Sequence, residues 1–508
     1  MKFKISTLII SSIFLFIGVE TILQSCKPKD EQGEKLAKTY CGSCHLFPEP
    51  SMLPQNVWQY STLPYMAIMM GVDYEINALE KPLSDYRILR PKSQMISDED
   101  WGKIKKYYLE NAPKAFGKPN YAKLEDAGNL FEIKRMEAKV EGGSIPNITA
   151  IAIDTINQKI IAGDQSNRVI WLIDKEGKGI QNIKNQDALA YIDLKNAKKN
   201  EYLLTFIGTT TQANPDVNGS VNYVNLTDNS FKVINKDISN LNRPIHTIAR
   251  NLDETPDDEL IVSEFGFKEG GLSIWKKNAV GTYQRQVLNS QTGATKTIIA
   301  DFDGDKKNDI LALFAQGDER IILYKNKGKM QFEEKLLLRF PSIYGSSSFD
   351  IADMNKDGKI DIVYTAGDNA DFSTILKPYH GVYIFTNQGK FQFKQTEFFH
   401  QNGSTKVIPR DFDNDGDIDL AAIALFPDND HRPSEGFIYI ENTGKEYIQK
   451  TLNINHLGRW SVIDAADIDH DGDIDIVLGS HPVAKFPAGF DPTWKEGNGL
   501  VILKNKKK

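Results

Sequence analysis

Four acidic nine-residue segments recur through the C-terminal half of this 508-residue chain. They are Asp301-Phe302-Asp303-Gly304-Asp305-Lys306-Lys307-Asn308-Asp309, Asp353-Met354-Asn355-Lys356-Asp357-Gly358-Lys359-Ile360-Asp361, Asp411-Phe412-Asp413-Asn414-Asp415-Gly416-Asp417-Ile418-Asp419 and Asp467-Ile468-Asp469-His470-Asp471-Gly472-Asp473-Ile474-Asp475. Each lies between two strand-like runs, as Ile310-Leu311-Ala312-Leu313 follows the first. A motif returning roughly every 50 residues restricts the chain to repeat architectures, because each unit buries its apolar face only against its neighbours. Weaker copies start at Ile151, Asp193 and Asn251, which makes seven units.

Each unit continues with a third strand, such as Arg320-Ile321-Ile322-Leu323-Tyr324, and a fourth beyond a turn, such as Lys390-Phe391-Gln392-Phe393-Lys394. Four antiparallel strands per unit, seven times, predicts a β-propeller over residues 128–508. The last unit stops at its third strand, Leu500-Val501-Ile502-Leu503-Lys504. The pattern predicts that Leu130–Met136 supplies the missing strand and closes the ring.

The acidic segments have the chemistry of a hard-cation loop. Side-chain oxygens at positions 1, 3, 5 and 9, with a backbone carbonyl near 7, suit Ca²⁺. The candidate ligands are Asp301, Asp303, Asp305 and Asp309; Asp353, Asn355, Asp357 and Asp361; Asp411, Asp413, Asp415 and Asp419; and Asp467, Asp469, Asp471 and Asp475. About four calcium sites are expected. Glycine at position 4 or 6 permits the sharp turn. An EF-hand is excluded, because no Glu stands at position 12 and the flanks are strands. Lys195 and Ala197 remove two oxygens from the copy at Asp193, and none of the three weak copies is expected to be a full site. The repeats resemble FG-GAP/VCBS units, the seven-bladed family that includes integrin α heads.

All three cysteines fall in the first 44 residues. Lys2 and Lys4 precede an apolar stretch from Thr7 to Val19, too short to span a bilayer at the ~20 residues required. Leu23-Gln24-Ser25-Cys26 resembles a bacterial lipobox, which implies a signal peptide over 1–25 and a lipidated Cys26. The polar tether 26–32 resembles the surface-export signals of Bacteroidota lipoproteins. The expected location is therefore the outer membrane, in its periplasmic or, preferably, its cell-surface leaflet.

Cys41-Gly42-Ser43-Cys44-His45 is the C-x-x-C-H pattern of covalent c-type haem attachment. C-x-x-C alone also fits a redox dithiol or half a zinc site, but the remaining chain has no cysteine to complete a zinc site. One haem c on Cys41, Cys44 and His45 is expected. Residues 33–115 read as its domain, followed by a linker over 116–127. Ser97 caps a second helix whose apolar face holds Trp101, Ile104, Tyr107 and Tyr108. The paired helices resemble a small, all-α class I cytochrome c. Trp58 to Gly71 resembles a cytochrome domain fused to repeats in Bacteroidota and Planctomycetes, which makes Met66 the candidate sixth ligand. Met95, just before the last helix, is the alternative.

Loops at one end of the propeller offer Asp318, Arg320, Asp368, Asp371, His380, Arg459 and Trp460 as a candidate ligand surface. A net charge of −7 argues against nucleic acid as a partner. Three function classes remain: an electron-transfer cytochrome with the propeller as docking module, a binding or adhesion lipoprotein with an accessory haem, and a propeller dehydrogenase passing electrons to its own haem. The expected partners are a redox protein or membrane complex, and the membrane through the lipid.

Overall fold

A computed structural model of the chain describes residues 31–80, 90–117, 119, 121–136, 140–227, 230–253, 255–368, 375–482 and 499–507. Cys26, its signal and Asp371 lie outside them. Seven sheets form a seven-bladed propeller, with blades over 148–184, 188–241, 244–289, 294–339, 346–400, 404–451 and 460–505. The first strand of each blade packs against the first strands of its neighbours around the central channel.

The second strands explain why the repeats are so apolar. Asp309–Phe314, Asp361–Ala366, Asp419–Ala424 and Asp475–Ser480 are buried along their whole length. Each is sandwiched between adjacent blades, so both of its faces need apolar side chains and the run is continuous rather than alternating. Between blades 4 and 5, for example, Leu311, Leu313 and Leu323 meet Phe349, Ile362 and Tyr364.

Ring closure is built from both ends of the propeller sequence. Phe131–Arg135 pairs antiparallel with Leu500–Asn505, Ile133 opposite Leu503, and becomes the outer strand of blade 7. Phe131 is buried edge-on against Phe412 and Tyr439 of blade 6. A shorter strand, Glu125–Asp126, adds to blade 6 in parallel, opposite Lys450 and Thr451. Two residues with no apolar pattern gave no sign of that fifth strand.

The chain before the propeller forms a small helical unit: α1 (Glu31–Cys41), α2 (Gln55–Val57), α3 (Leu63–Met69) and α4 (Asp98–Asn111), with a π-helical stretch at Trp58–Thr62. Helix α1 packs on α4. Asp100 N donates to Ser97 Oγ at 3.1 Å, the cap expected from the sequence. Ala37, Trp58, Trp101, Ile104 and Tyr108 make the core. Trp58 Nε1 donates to Pro50 O, Tyr108 OH to Pro48 O and Trp101 Nε1 to Glu75 Oε1. Among the described residues no helix is long and apolar enough to cross a membrane.

Antiparallel order gives the propeller two unlike ends. The acidic loops join first to second strands and lie at one end. The second-to-third and blade-to-blade connections lie at the other, where the helical unit docks. Leu46 bridges Pro341, Tyr379 OH donates to Met52 O at 2.9 Å, and Ile343 and Ile375 join the helical core. The linker is pinned nearby: Tyr121 OH donates to Asp428 Oδ2 at 2.7 Å, and the Arg432 guanidinium lies 4.9 Å above the Tyr121 ring.

Candidate functional site

The four acidic loops share one backbone. The position-1 carboxylate accepts the N–H groups of positions 5 and 6. Asp353 takes Asp357 N at 3.1 Å and Gly358 N at 2.8 Å, and Asp411, Asp467 and Asp301 repeat the arrangement. Positions 4 and 6 are left-handed in all four. In blades 5, 6 and 7 glycine takes position 6, while Lys356, Asn414 and His470 accept φ near +60° at position 4; blade 4 reverses the order, with Gly304 and Lys306. The tight turn gathers carboxylates. Ligand oxygens of Asp301, Asp303 and Asp309 lie within 4.8 Å of one another, as do those of Asp411, Asp413 and Asp419 and of Asp467, Asp469 and Asp471.

Position 9 ties the loop to the blade. Asp309, Asp361, Asp419 and Asp475 are buried, and each accepts the backbone N–H of a third-strand asparagine: Asn326, Asn387, Asn442 and Asn505, at 2.7 to 2.9 Å. Burial pushes all four carboxyls upward, Asp419 to about 7. Desolvation also lifts Asp473 to about 7, helped by its hydrogen bond with Asp471. A divalent cation would relieve this crowding of negative charge.

A second candidate site sits at the helical unit. Cys41 closes α1 and Cys44 follows one turn later; both thiols are free, and Cys44 is exposed. Burial pushes the Cys41 thiol up to about 11. His45 is 9% exposed, its Nδ1 3.0 Å from Leu46 O and 3.5 Å from Ser342 Oγ of the propeller. Met66 is partly buried against the helical core, whereas Met95 is 55% exposed.

The residues expected to form a ligand surface are largely engaged in the blades. Asp318 bonds Arg320 at 3.1 Å and Arg339 at 2.5 Å, and Arg320 also donates to Gln291. Arg459 is buried, donates to Leu425 O and lies over Phe426. Trp460 is buried at the start of the inner strand of blade 7. His380 is buried with neither ring nitrogen hydrogen-bonded, and burial holds its pKa well below the usual value. Asp368 donates its N–H to Gly345 O.

The sequence reading missed Glu319. It is buried and accepts Ser346 Oγ at 2.6 Å and the N–H groups of Ser346 and Gly345, yet desolvation lifts it to about 8. Ser346 Oγ also meets Tyr364 OH, whose ring stacks on Phe340 at 4.0 Å. A glutamate in a polar loop carries no sequence sign of burial; only the blade 4–5 junction creates it.

Comparison with known proteins places this geometry. Residues 301–364 and 411–478 match the FG-GAP-like repeat. The chain carries FG-GAP-like repeats. Over 240 residues it is 23% identical to integrin alpha pat-2 of Caenorhabditis briggsae, a match covering 41% of this chain. That match spans only 18% of the integrin, so the likeness belongs to a portion of that protein. A crystallised Bacteroides fragilis protein with a provisional 6-phosphogluconolactonase designation aligns with 60% of this chain and 83% of its own. The TM-score is 0.38 and the identity 11%.

Proposed function

We propose that this chain is a membrane-anchored c-type cytochrome that carries electrons, with the FG-GAP propeller as its docking and binding module. The observation that carries this reading is the Cys41–Cys44–His45 turn at the end of α1, lodged against Pro341 and Ser342 of the propeller. Two free thiols one turn apart suit thioether bonds to one haem edge. A histidine whose Nδ1 faces a backbone carbonyl has its tautomer and ring orientation fixed, which suits Nε2 to a metal. When bound, haem c would supply one-electron chemistry at iron. A thioether sixth ligand would raise its potential and close the iron to substrate. The burial of Met66 favours it over Met95 for that role.

The acidic loops are, on the same reading, calcium sites that stiffen the module. Lipidation at Cys26 would hold the protein at the outer membrane beside a redox protein or membrane complex. A second reading, a binding or adhesion lipoprotein with accessory haem, draws on the partial likeness to an integrin α chain.

The deciding experiment is an oxidised-minus-reduced visible spectrum with a redox titration, on protein made with c-haem maturation. A reversible low-spin spectrum with the far-red thioether–iron band and a positive potential is expected. Met66→Ala should abolish that band and Met95→Ala should keep it; the reverse result reassigns the ligand. Absence of covalent haem would overturn electron transfer in favour of the binding reading, and haem reduction driven by an added small substrate would favour a dehydrogenase.

A further inference from the structure

Strand pairing identifies one equivalent position next to every acidic loop. The residue following each position 9 lies opposite a third-strand residue: Leu260 opposite Trp275, Ile310 opposite Tyr324, Ile362 opposite Phe385, Leu420 opposite Ile440, and Ile476 opposite Leu503. One step further along the third strand, beside position 9 itself, stand Lys276, Lys325, Thr386, Glu441 and Lys504 in blades 3 to 7.

The three lysines all enter their own loops. Lys504 Nζ lies 2.6 Å from Asp469 at position 3 and 2.8 Å from Asp475 at position 9, and the side chain is only 10% exposed. In blade 3, Lys276 pairs with Asp253, also at position 3, and lies 4.0 Å from Glu259 at position 9. Lys325 reaches Asp303, position 3 of blade 4, at 2.7 Å. Blades 5 and 6 lack this feature. Thr386 is neutral and accepts from Gln388, while Glu441 pairs with Lys450 on the neighbouring strand. Among the described residues, the ammonium group paired with Asp413 of blade 6 comes from the tail, on Lys507, which is 43% exposed.

We propose that the lysine at this register is a built-in counter-cation that sets which loops take a divalent metal. An ammonium group and Ca²⁺ need the same carboxylate oxygens, and at this separation they repel each other in a partly desolvated site. Lys276 replaces the metal in blade 3, where Asn251 and Thr255 already leave a weak ligand set. Lys504 closes blade 7 to metal although its motif retains every acidic position. Lys325, held by one carboxylate, weakens blade 4. Blades 5 and 6 are the tight calcium loops. The motif alone therefore overstates the number of sites, since the controlling residue lies 29 residues past position 9 in blade 7 and on another strand.

This inference rests on the reading of the loops as calcium sites, and one experiment separates the two. Full-length protein is freed of metal with a chelator, and bound calcium is counted by equilibrium dialysis across a range of free Ca²⁺. Wild type should bind two ions tightly and a third at least tenfold more weakly. Lys504→Met should add a site, Lys325→Met should tighten the third at least tenfold, and Thr386→Lys should remove one of the two tight sites. Four equivalent ions in wild type, unchanged in Lys504→Met and Thr386→Lys, would overturn the counter-cation while leaving the loops as calcium sites. No bound calcium in wild type or any variant would overturn both. Thr386→Lys, a change at a loop predicted to bind, keeps the test decisive if Lys504→Met fails to fold.

Discussion

The two ends of the propeller are built by opposite strategies. At the acidic-loop end, one local design is repeated: a position-1 aspartate gathering N–H groups, left-handed residues at 4 and 6, and a buried aspartate tying the loop to strand three. At the docking end, the contacts made with the helical unit and the linker differ from one another. Leu46 meets Pro341, Tyr379 meets Met52, and Tyr121 meets Asp428, each a pairing of residues far apart in the chain. The repeated end concentrates carboxylates that cations can compensate, while the unique end relies mainly on hydrogen bonds and aromatic packing and leaves the buried His380 ring nitrogens without a partner. Mutation of the two ends should therefore respond differently to cations.

The largest effect is expected inside the repeated design. Asp419 accepts Phe412 N at 3.2 Å, Asn442 N at 2.8 Å and Tyr439 OH at 2.7 Å, all buried. Asp419→Ala strands these donors, and each unsatisfied group costs about 1–3 kcal/mol. A loss of about 3 kcal/mol or more in denaturant unfolding is expected with or without calcium. Asp415→Ala, in the same loop but exposed, should cost less than about 1 kcal/mol in chelator. Equal losses for the two would mean that position 9 is not the anchor.

Next in size is chelation itself. Each occupied loop should gain about 2.7 kcal/mol at a free calcium concentration 100 times its Kd. EDTA should lower the melting temperature of the propeller, and Tyr379→Phe at the other end should leave that shift unchanged. A melting temperature indifferent to calcium would show that the loops are held by their hydrogen bonds alone.

This contrast also explains what could be read from the sequence. Repeat number, strand count, the closing strand at Phe131–Arg135 and the Ser97 cap follow from patterns within a few residues or from a period. The burial of Arg459 and Trp460, by contrast, depends on neighbouring blades, and the engagement of Asp318 by Arg320 and Arg339 depends on the pairing of the third and fourth strands of blade 4. A polar loop reads the same whether its side chains face solvent or a blade junction. Lys504 was invisible for a related reason: its importance comes from strand register, which the acidic motif does not contain.

A third test uses pH at the docking end. The Glu319 carboxyl is lifted from 4.5 to about 8 by burial. A folded state that holds a proton more tightly than the unfolded chain is stabilised below the unfolded pKa. That contribution declines above pH 4.5 and is gone once pH passes through about 8. Glu319→Gln removes the titrating group, so its stability should fall less than that of wild type between these limits. The comparison is made by denaturant melts at constant calcium, to keep the acidic loops from adding their own slope. Parallel curves for the two proteins would mean that Glu319 is ionised in the fold, stabilised by Ser346 and Gly345.

The smallest effect probes whether the docking end is a rigid joint. Tyr379 OH donates to Met52 O, and its ring stacks on Tyr344 at 4.8 Å. Tyr379→Phe keeps the ring contact and removes one hydrogen bond, worth about 1 kcal/mol. Tyr379→Ala removes both. If the helical unit is held by many independent contacts, the phenylalanine variant should leave hydrogen exchange of α4 unchanged and raise it only around Met52, while the alanine variant should also expose Ile343 and Ile375. Propeller melting should not move in the phenylalanine variant, because neither partner of the lost bond contributes to a blade's strand pairing. Coordinated loss of protection through the whole helical unit on Tyr379→Phe would instead identify this one bond as the latch of the joint, and would make the docking end the more fragile of the two.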